Sequence, residues 1–183
     1  MTRFLRASLF LVPALALAAC APATMSVSSH VDPSANFTAY KTFSWGPADA
    51  LPTGDPRLDA NPQFKDQFQG AVERELSRKG LTQVTTGKPD LLIHYHANIS
   101  ERLNVTGIDR PYGYCIGQEC SADVTTYEAG TLVLDVVDAK TNKLIWRGWS
   151  QDPVQKMLDS PDEMTRQINK AVPQMMKQYP KAF

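Results

Sequence analysis

YEAGTLVLDVVDAKTNKLIWRGWS, residues 127–150, predicts a β-hairpin around which the rest of the chain is organised. Thr131–Asp138 is rich in Val and Leu, and Leu144–Ser150 carries Ile and two Trp residues, all of which favour strands. The polar segment Ala139–Lys143 supplies the reversal, and its Asn142 is the residue best able to adopt a positive φ. These two strands therefore set the register of the predicted sheet.

The faces of the two strands indicate which loop joins them. An odd-numbered loop gives one apolar face, made of Leu132, Leu134, Val136, Leu144 and Trp146. The opposite face then holds Val133, Asp135, Val137, Ile145, Arg147 and Trp149. An even-numbered loop would mix charge into the apolar face, so we expect the odd one. Asp135 then faces Arg147, which predicts a cross-strand ion pair of about 0.2–1 kcal/mol rather than a catalytic dyad. Because both faces stay fairly apolar, we expect a central hairpin and not an edge.

Four motifs of the chain are GTLVLDVVDA (130–139), LIWRG (144–148), FTAYKTFSW (37–45) and KPDLLIHYH (88–96). Together they resemble the signature of a large family of bacterial lipoproteins known as domain of unknown function 4136. The resemblance spans nearly the whole chain after its leader, and it implies a fold and an envelope location but no activity. The pair Cys115 and Cys120 departs from the family pattern.

Length and charge limit what the chain can be. A chain of 183 residues is long enough for one domain and a leader. The 19 basic and 19 acidic residues balance, and removing Arg3 and Arg6 with the leader leaves 17 bases against 19 acids, a net charge of −2. Because nucleic-acid binding needs a basic face, we expect no nucleic-acid partner.

The first 19 residues resemble a lipoprotein signal peptide. Arg3 and Arg6 form a charged start, and residues 7–17 form an apolar segment that is too short to span a membrane as a helix. Leu17-Ala18-Ala19-Cys20 resembles the bacterial lipobox, in which the Cys receives the acyl chains, palmitate among them, and becomes the first residue after cleavage. The alternative is an ordinary small-residue cleavage site with a chance Cys. The predicted organisation is therefore signal peptide (1–19), lipidated Cys and tether (20–25) and one α+β domain (26–183).

Cys20 is the predicted membrane anchor. Two acyl chains already hold a protein firmly on a bilayer, so three would hold it more firmly. In similar lipoproteins an Asp after the Cys favours the inner membrane, and Ala21 stands there instead, so we expect the outer membrane and its periplasmic side. The tether can reach no more than roughly 20 Å. Any partner must therefore come to the membrane surface.

Hydrophobic periodicity predicts the element order β-β-α-β-β-β-α. Besides the hairpin, the predicted strands are Ser26–Val31, Tyr40–Trp45 and Pro89–Ser100. The helices begin at Pro62 and Pro161 and end at Gly80 and Pro180, while Gly46–Ala60 is predicted to be a loop. We expect a two-layer α+β domain, in which a mostly antiparallel sheet of about five strands carries both amphipathic helices on one face.

His94 and His96 alternate with apolar residues on the strand that begins at Pro89. Two positions apart on a strand, their side chains project from the same face about 7 Å apart. Two imidazoles so placed can supply half of a metal site, but no third ligand is fixed by the spacing; His30 or a carboxylate would have to be brought in by the fold. The alternative is a polar sheet face with no ligand.

The insert between residues 101 and 127 is predicted to continue two strands outward as a protruding ribbon. With Cys20 lipidated, Cys115 and Cys120 remain as a pair in an oxidising compartment, so we expect a disulfide. Their spacing lacks the two-residue interval of thioredoxin-type redox motifs. Tyr112 and Tyr114 beside this staple form a possible partner contact, since rigid aromatic side chains lose little entropy on binding. The alternative is a stapled loop with no further role.

No catalytic signature is present in the sequence. It lacks a Gly-x-Ser-x-Gly elbow, a His-Glu-x-x-His helix and a glycine-rich phosphate loop. We therefore interpret the protein as a non-enzymatic envelope lipoprotein without a cofactor, acting as an adaptor or assembly module on an envelope protein partner. The alternative is a periplasmic domain that binds a metal or a small ligand through His94 and His96. A hydrolase is the weakest interpretation.

Overall fold

The computed structural model describes residues 25–47, 55–106, 123–153, 158 and 160–180. Six strands are present within these ranges: β1 (Ser26–Val31), β2 (Thr42–Trp45), β3 (Thr82–Gln83), β4 (Leu91–Thr106), β5 (Asp123–Asp138) and β6 (Lys143–Pro153). The helices are α1 (Pro56–Asp59), α2 (Pro62–Arg78) and α3 (Pro161–Lys177), with a 3-10 turn at Phe37–Ala39. None of the helices in these ranges is long and apolar enough to cross a membrane.

The six strands form one mixed sheet in the order β1-β6-β5-β4-β2-β3. The pairs β1–β6, β6–β5 and β5–β4 are antiparallel, whereas β2 runs parallel to both β4 and β3. The predicted α+β class is confirmed, and the hairpin of β5 and β6 is central as expected. The sheet has six strands instead of about five because the two-residue β3 is too short to leave a periodic pattern. Helix α1 lies in the segment predicted to be a loop, where Asp55 caps it by accepting from the Arg57 amide.

The predicted loop of the hairpin is wrong, although Asp135 does pair with Arg147. The turn between Asp138 and Lys143 has four residues, an even number, and Asn142 in it has a φ of 56°. A bulge at Ile145 adds the residue that restores the register, since Val136 faces Trp146 while Val137 faces Leu144. Leu144 and Ile145 therefore exchange the faces that were predicted for them, and Ile145 is buried.

One face of the sheet and both long helices enclose the core. Phe64, Phe68, Val72 and Leu76 of α2 are fully buried, as their four-residue spacing predicts, and α3 adds Met164, Ile168, Val172, Met175 and Met176. Both helices begin where the sequence predicts, each with a side-chain cap: Asn61 accepts from the Phe64 amide at 3.0 Å and Ser160 accepts from the Glu163 amide at 3.4 Å. The two amphipathic helices thus cover a single face of the sheet.

Trp146 is the largest buried side chain, and its ring lies over Gly148 two residues further along β6. A β-carbon at position 148 would lie 2.2 Å from Cη2 of Trp146. Only glycine leaves that space, so the pair sets how closely the indole approaches the sheet. The indole Nε1 of Trp146 has no hydrogen-bond partner among the described residues.

Strands β4 and β5 extend far beyond the rest of the sheet. One transverse row contains Ser26, Gln151, Thr131 and Asn98, and it marks the start of β1. Beyond that row β6 continues for two more residues, to Pro153, and past it β4 and β5 alone continue as an antiparallel pair as far as Thr106 and Asp123. We call this pair, residues 99–106 and 123–130, the ribbon. Its backbone confirms the prediction that two strands continue outward from the sheet.

Candidate functional site

The sheet face that is turned away from the helices is the candidate site, and we call it the open face. Strand alternation and register place four side chains in one row across it: His30 of β1, Arg147 of β6, Asp135 of β5 and His94 of β4. His96 lies two positions further along β4. The fold thus brings together the two histidines that were singled out in the sequence and adds an ion pair beside them.

Asp135 and Arg147 form the centre of the row. Arg147 donates from Nε to Oδ1 and from Nη2 to Oδ2 of Asp135, both at 2.6 Å. Hydrogen bonding to this carboxylate raises the pKa of Arg147. Asp135 is buried at 3% exposure, while the Arg147 side chain is 45% exposed. A bidentate geometry of this kind fixes both side chains and leaves the outer edge of the guanidinium facing solvent.

His94 lies directly on the backbone of Gly46, the residue that follows β2. A β-carbon at position 46 would lie 1.9 Å from Cε1 and 2.5 Å from Nδ1 of the imidazole. Burial lowers the pKa of His94; Asp135 raises it and His96 lowers it by smaller amounts. His94 is therefore held neutral at neutral pH, and only glycine at position 46 leaves room for its imidazole. The sequence signal for this contact, a Gly directly after a strand, was missed.

His96 is also on the open face. Its Nε2 lies 3.9 Å from Oδ2 of Asp135, a separation that is an ion pair only when the imidazole is protonated. His30 stands at the other end of the row, separated from His94 by two strands, a distance of about 14 Å at ordinary strand spacing. His30 therefore cannot be the third ligand of a metal held by His94 and His96. Within the described ranges no three His, Cys, Asp or Glu side chains are grouped to hold a metal.

Apolar side chains surround the polar row. Strand register puts Trp149 beside Val133 and Ser28, and Val137 beside Leu144 and Leu92, all on the open face. The apolar members are only partly buried, and none of them belongs to the core under the helices. The open face therefore combines fixed hydrogen-bonding groups with apolar contact area, as binding surfaces do.

A concavity lies on the helix side, between α3 and the sheet. It is small, partly open to solvent and lined mostly by apolar atoms, including those of Leu58, Leu132 and Ala171. Gln167 borders it, and the buried Oε1 of this side chain has no hydrogen-bond partner among the described residues. The remaining residues singled out in the sequence, Cys20, Tyr112, Tyr114, Cys115 and Cys120, lie outside the described residues.

Fold and site together define a two-layer α+β domain with helices on one sheet face and a mixed polar and apolar surface on the other. The profile of the family described as domain of unknown function (DUF4136) matches residues 27–181, and the chain belongs to that family. No curated protein matches it in sequence.

Solved structures share this fold at low sequence identity. A DUF4136 family protein from Bacteroides thetaiotaomicron is 18% identical with a TM-score of 0.52, and the match covers 86% of this chain and 97% of that one. A PDZ domain protein from Parabacteroides distasonis is 17% identical with a TM-score of 0.54, over 85% of this chain and 36% of that one. The chain thus spans about a third of the length of the P. distasonis protein. At such identities the likeness shows the fold alone.

Proposed function

We propose that this protein is a bacterial envelope lipoprotein that acts as a non-enzymatic adaptor or binding module. Cys20 anchors it in the outer membrane, facing the periplasm, and the open face binds its partner. The observation that carries the proposal is the construction of that face. The Asp135–Arg147 ion pair and His94, which packs on Gly46, hold polar groups in fixed positions among partly exposed apolar side chains.

The ion pair favours binding over acid–base catalysis. Both carboxylate oxygens of Asp135 accept from Arg147 at 2.6 Å and the residue is buried, so the carboxylate is poorly placed to reach a substrate. The half-exposed guanidinium keeps donors that point away from Asp135. Such a preorganised donor suits recognition, because little conformational entropy is lost when it binds.

The test of the open face is crosslinking in intact cells of the tagged, lipidated protein, followed by identification of what is captured with it. Ser28 is exposed on the open face and Ser77 is exposed on α2, so Ser28→Arg and Ser77→Arg form a matched pair. We expect an envelope protein to be captured by wild type and by Ser77→Arg, and to be lost with Ser28→Arg. Equal capture by the two variants would remove the open face from the proposal.

The insert and the anchor need separate tests. Tyr112→Ala with Tyr114→Ala should weaken capture if the stapled tip also contacts the partner, and unchanged capture would leave the open face alone. Mass spectrometry of the mature chain should find acyl chains on Cys20. Cys20→Ser should release the protein from the outer membrane, and a protein that stays membrane-bound after that change would contradict the anchor.

The second candidate is a domain that binds a small ligand or a metal through His94 and His96. The favouring observation is that both imidazoles lie on the open face and that His96 Nε2 is 3.9 Å from Asp135 Oδ2. The purified domain should then take up zinc or copper, or retain a small ligand, and the His94→Ala/His96→Ala variant should not. Equal uptake by the double variant would end this candidate.

A further inference from the structure

The amino-terminal tether and the ribbon leave the domain at the same end. Ser26 begins β1 and lies in one row with Gln151, Thr131 and Asn98. β1 is antiparallel to β6, which is antiparallel to β5, so β1 runs parallel to β5 and opposite to β4. The chain before Ser26 therefore starts from the sheet in the direction in which β4 proceeds towards Thr106. An anchor on the tether and the far end of the ribbon lie on the same side of the domain.

The ribbon is longer than the tether. From Asn98 to Thr106 β4 advances eight residues past the row of Ser26, which is about 26 Å at the ordinary rise of a strand. From Ser26 back to Cys20 the chain has six residue steps, which reach no more than roughly 20 Å when fully extended. Even a straight tether therefore leaves Cys20 short of the end of the ribbon.

The same lengths exclude the opposite orientation, in which the turn between β5 and β6 would lie against the membrane. β1 runs from Ser26 to Val31 away from the ribbon, over about 17 Å, and the turn between β5 and β6 lies still further in that direction. To put that turn against the membrane, the tether would have to fold back along the whole of β1. That path would use nearly all of its roughly 20 Å and leave no length to pass around the domain.

We infer that the ribbon meets the surface of the membrane in which Cys20 is anchored. The inference rests on the proposed anchor at Cys20, and it assigns the lipid surface of that membrane as the partner of the ribbon. The domain stands on the ribbon or leans over it, and in both cases the ribbon lies closer to the lipid than the turn between β5 and β6 does.

Two exposed threonines at opposite ends of β5 allow a matched test. Thr126 lies in the ribbon and Thr141 in the turn after β5, and the 12 residues from Thr126 to Asp138 alone span roughly 40 Å. A genetically encoded fluorescent amino acid at either position leaves the cysteines unchanged. The full-length lipidated protein is reconstituted into vesicles of phosphatidylethanolamine and phosphatidylglycerol that carry a nitroxide-labelled headgroup. Quenching of each fluorophore then reports its proximity to the lipid surface.

We expect quenching at Thr126 to be several-fold stronger than at Thr141. Equal quenching, or stronger quenching at Thr141, would overturn the inference. Insertion of a long Gly/Ser segment after Met25 should reduce the difference, and a difference that survives it would overturn the argument from tether length. Vesicle flotation and mass spectrometry of Cys20 on the same sample report the anchor itself. Failure of the anchor and failure of the orientation are therefore distinguishable.

Discussion

The imidazole of His94 occupies the space in which a side chain at Gly46 would begin, with Cε1 only 1.9 Å from the position of a β-carbon. Gly46 lies in line with His94 because β2 runs parallel to β4, and its amide donates to the carbonyl of Ile93 at 2.9 Å. A backbone contact on one strand thus determines how deeply a titratable group on the next strand is buried.

Gly46→Ala should displace the imidazole of His94 from its packing against the backbone of residue 46. Because burial is the main cause that lowers the pKa of His94, the displaced ring should titrate closer to the ordinary value of a histidine. An NMR titration of the imidazole measures this shift. Gly70→Ala is the control, since a β-carbon there would approach only Arg74 Nη1, at 3.6 Å, and it should leave His94 unchanged. An unchanged pKa of His94 in Gly46→Ala would contradict the claim that packing on Gly46 keeps the imidazole buried.

The burial of neutral His94 also predicts how stability depends on pH. The folded pKa of His94 is lowered, so below about pH 6.5 the unfolded chain binds more protons at this residue than the folded one. The free energy of unfolding should therefore fall as the pH decreases from about 6.5 towards the folded pKa. Urea titrations at neutral and mildly acidic pH measure the loss, and it should be smaller in His94→Gln. An identical pH dependence in the variant would contradict the prediction.

Arg147→Met should destabilise the protein more than the loss of an exposed ion pair does. The substitution leaves the buried carboxylate of Asp135 without its two charge-assisted hydrogen bonds, which we expect to cost about 1.5–3 kcal/mol of unfolding free energy. The matched control is Lys143→Met, which removes a pair with Asp32 in which the lysine is 59% exposed. That change should cost clearly less, because the pair is exposed to solvent and screened by it. If urea titrations showed equal losses of unfolding free energy for the two variants, the burial of Asp135 would add nothing to the cost of losing its partner.

Gly148→Ala should disturb the core through Trp146. The added methyl group would lie 2.2 Å from Cη2 of an indole that is fully buried, so the ring must move or the strand must shift. Overpacking of this kind typically costs about 1–3 kcal/mol. Thermal unfolding measures the effect, and Gly70→Ala, in the interior of α2, serves as a control that should be neutral or slightly stabilising. A stability equal to that of Gly70→Ala would show that Trp146 rearranges without cost.

Local signals predicted those parts of the fold that depend on near neighbours in sequence. β1 begins and ends where alternation predicts, and Asn61 with Pro62 marks the start of α2, because caps and strand alternation are set within a few residues. The bulge at Ile145 was missed because it depends on contacts distant in sequence: the carbonyl of Ile145 accepts from the Asp32 amide at 2.9 Å. The row on the open face was predicted only in part. Local pattern gave Asp135 with Arg147 and His94 with His96, but strand order joins the two pairs.

The position of β1 has a consequence for the order of folding. Its partner β6 lies far along the chain, since Ser26 pairs with Gln151, whereas β4, β5 and β6 are consecutive strands that pair in chain order. Pairing across so long a loop is slow, because closure entropy is lost before any contact forms. The first strand of the domain should therefore be the last to join the sheet, and until it docks β6 is an unprotected edge. An edge of that kind invites pairing with another chain, so slow docking of β1 is the step at which the domain is most exposed to misassembly.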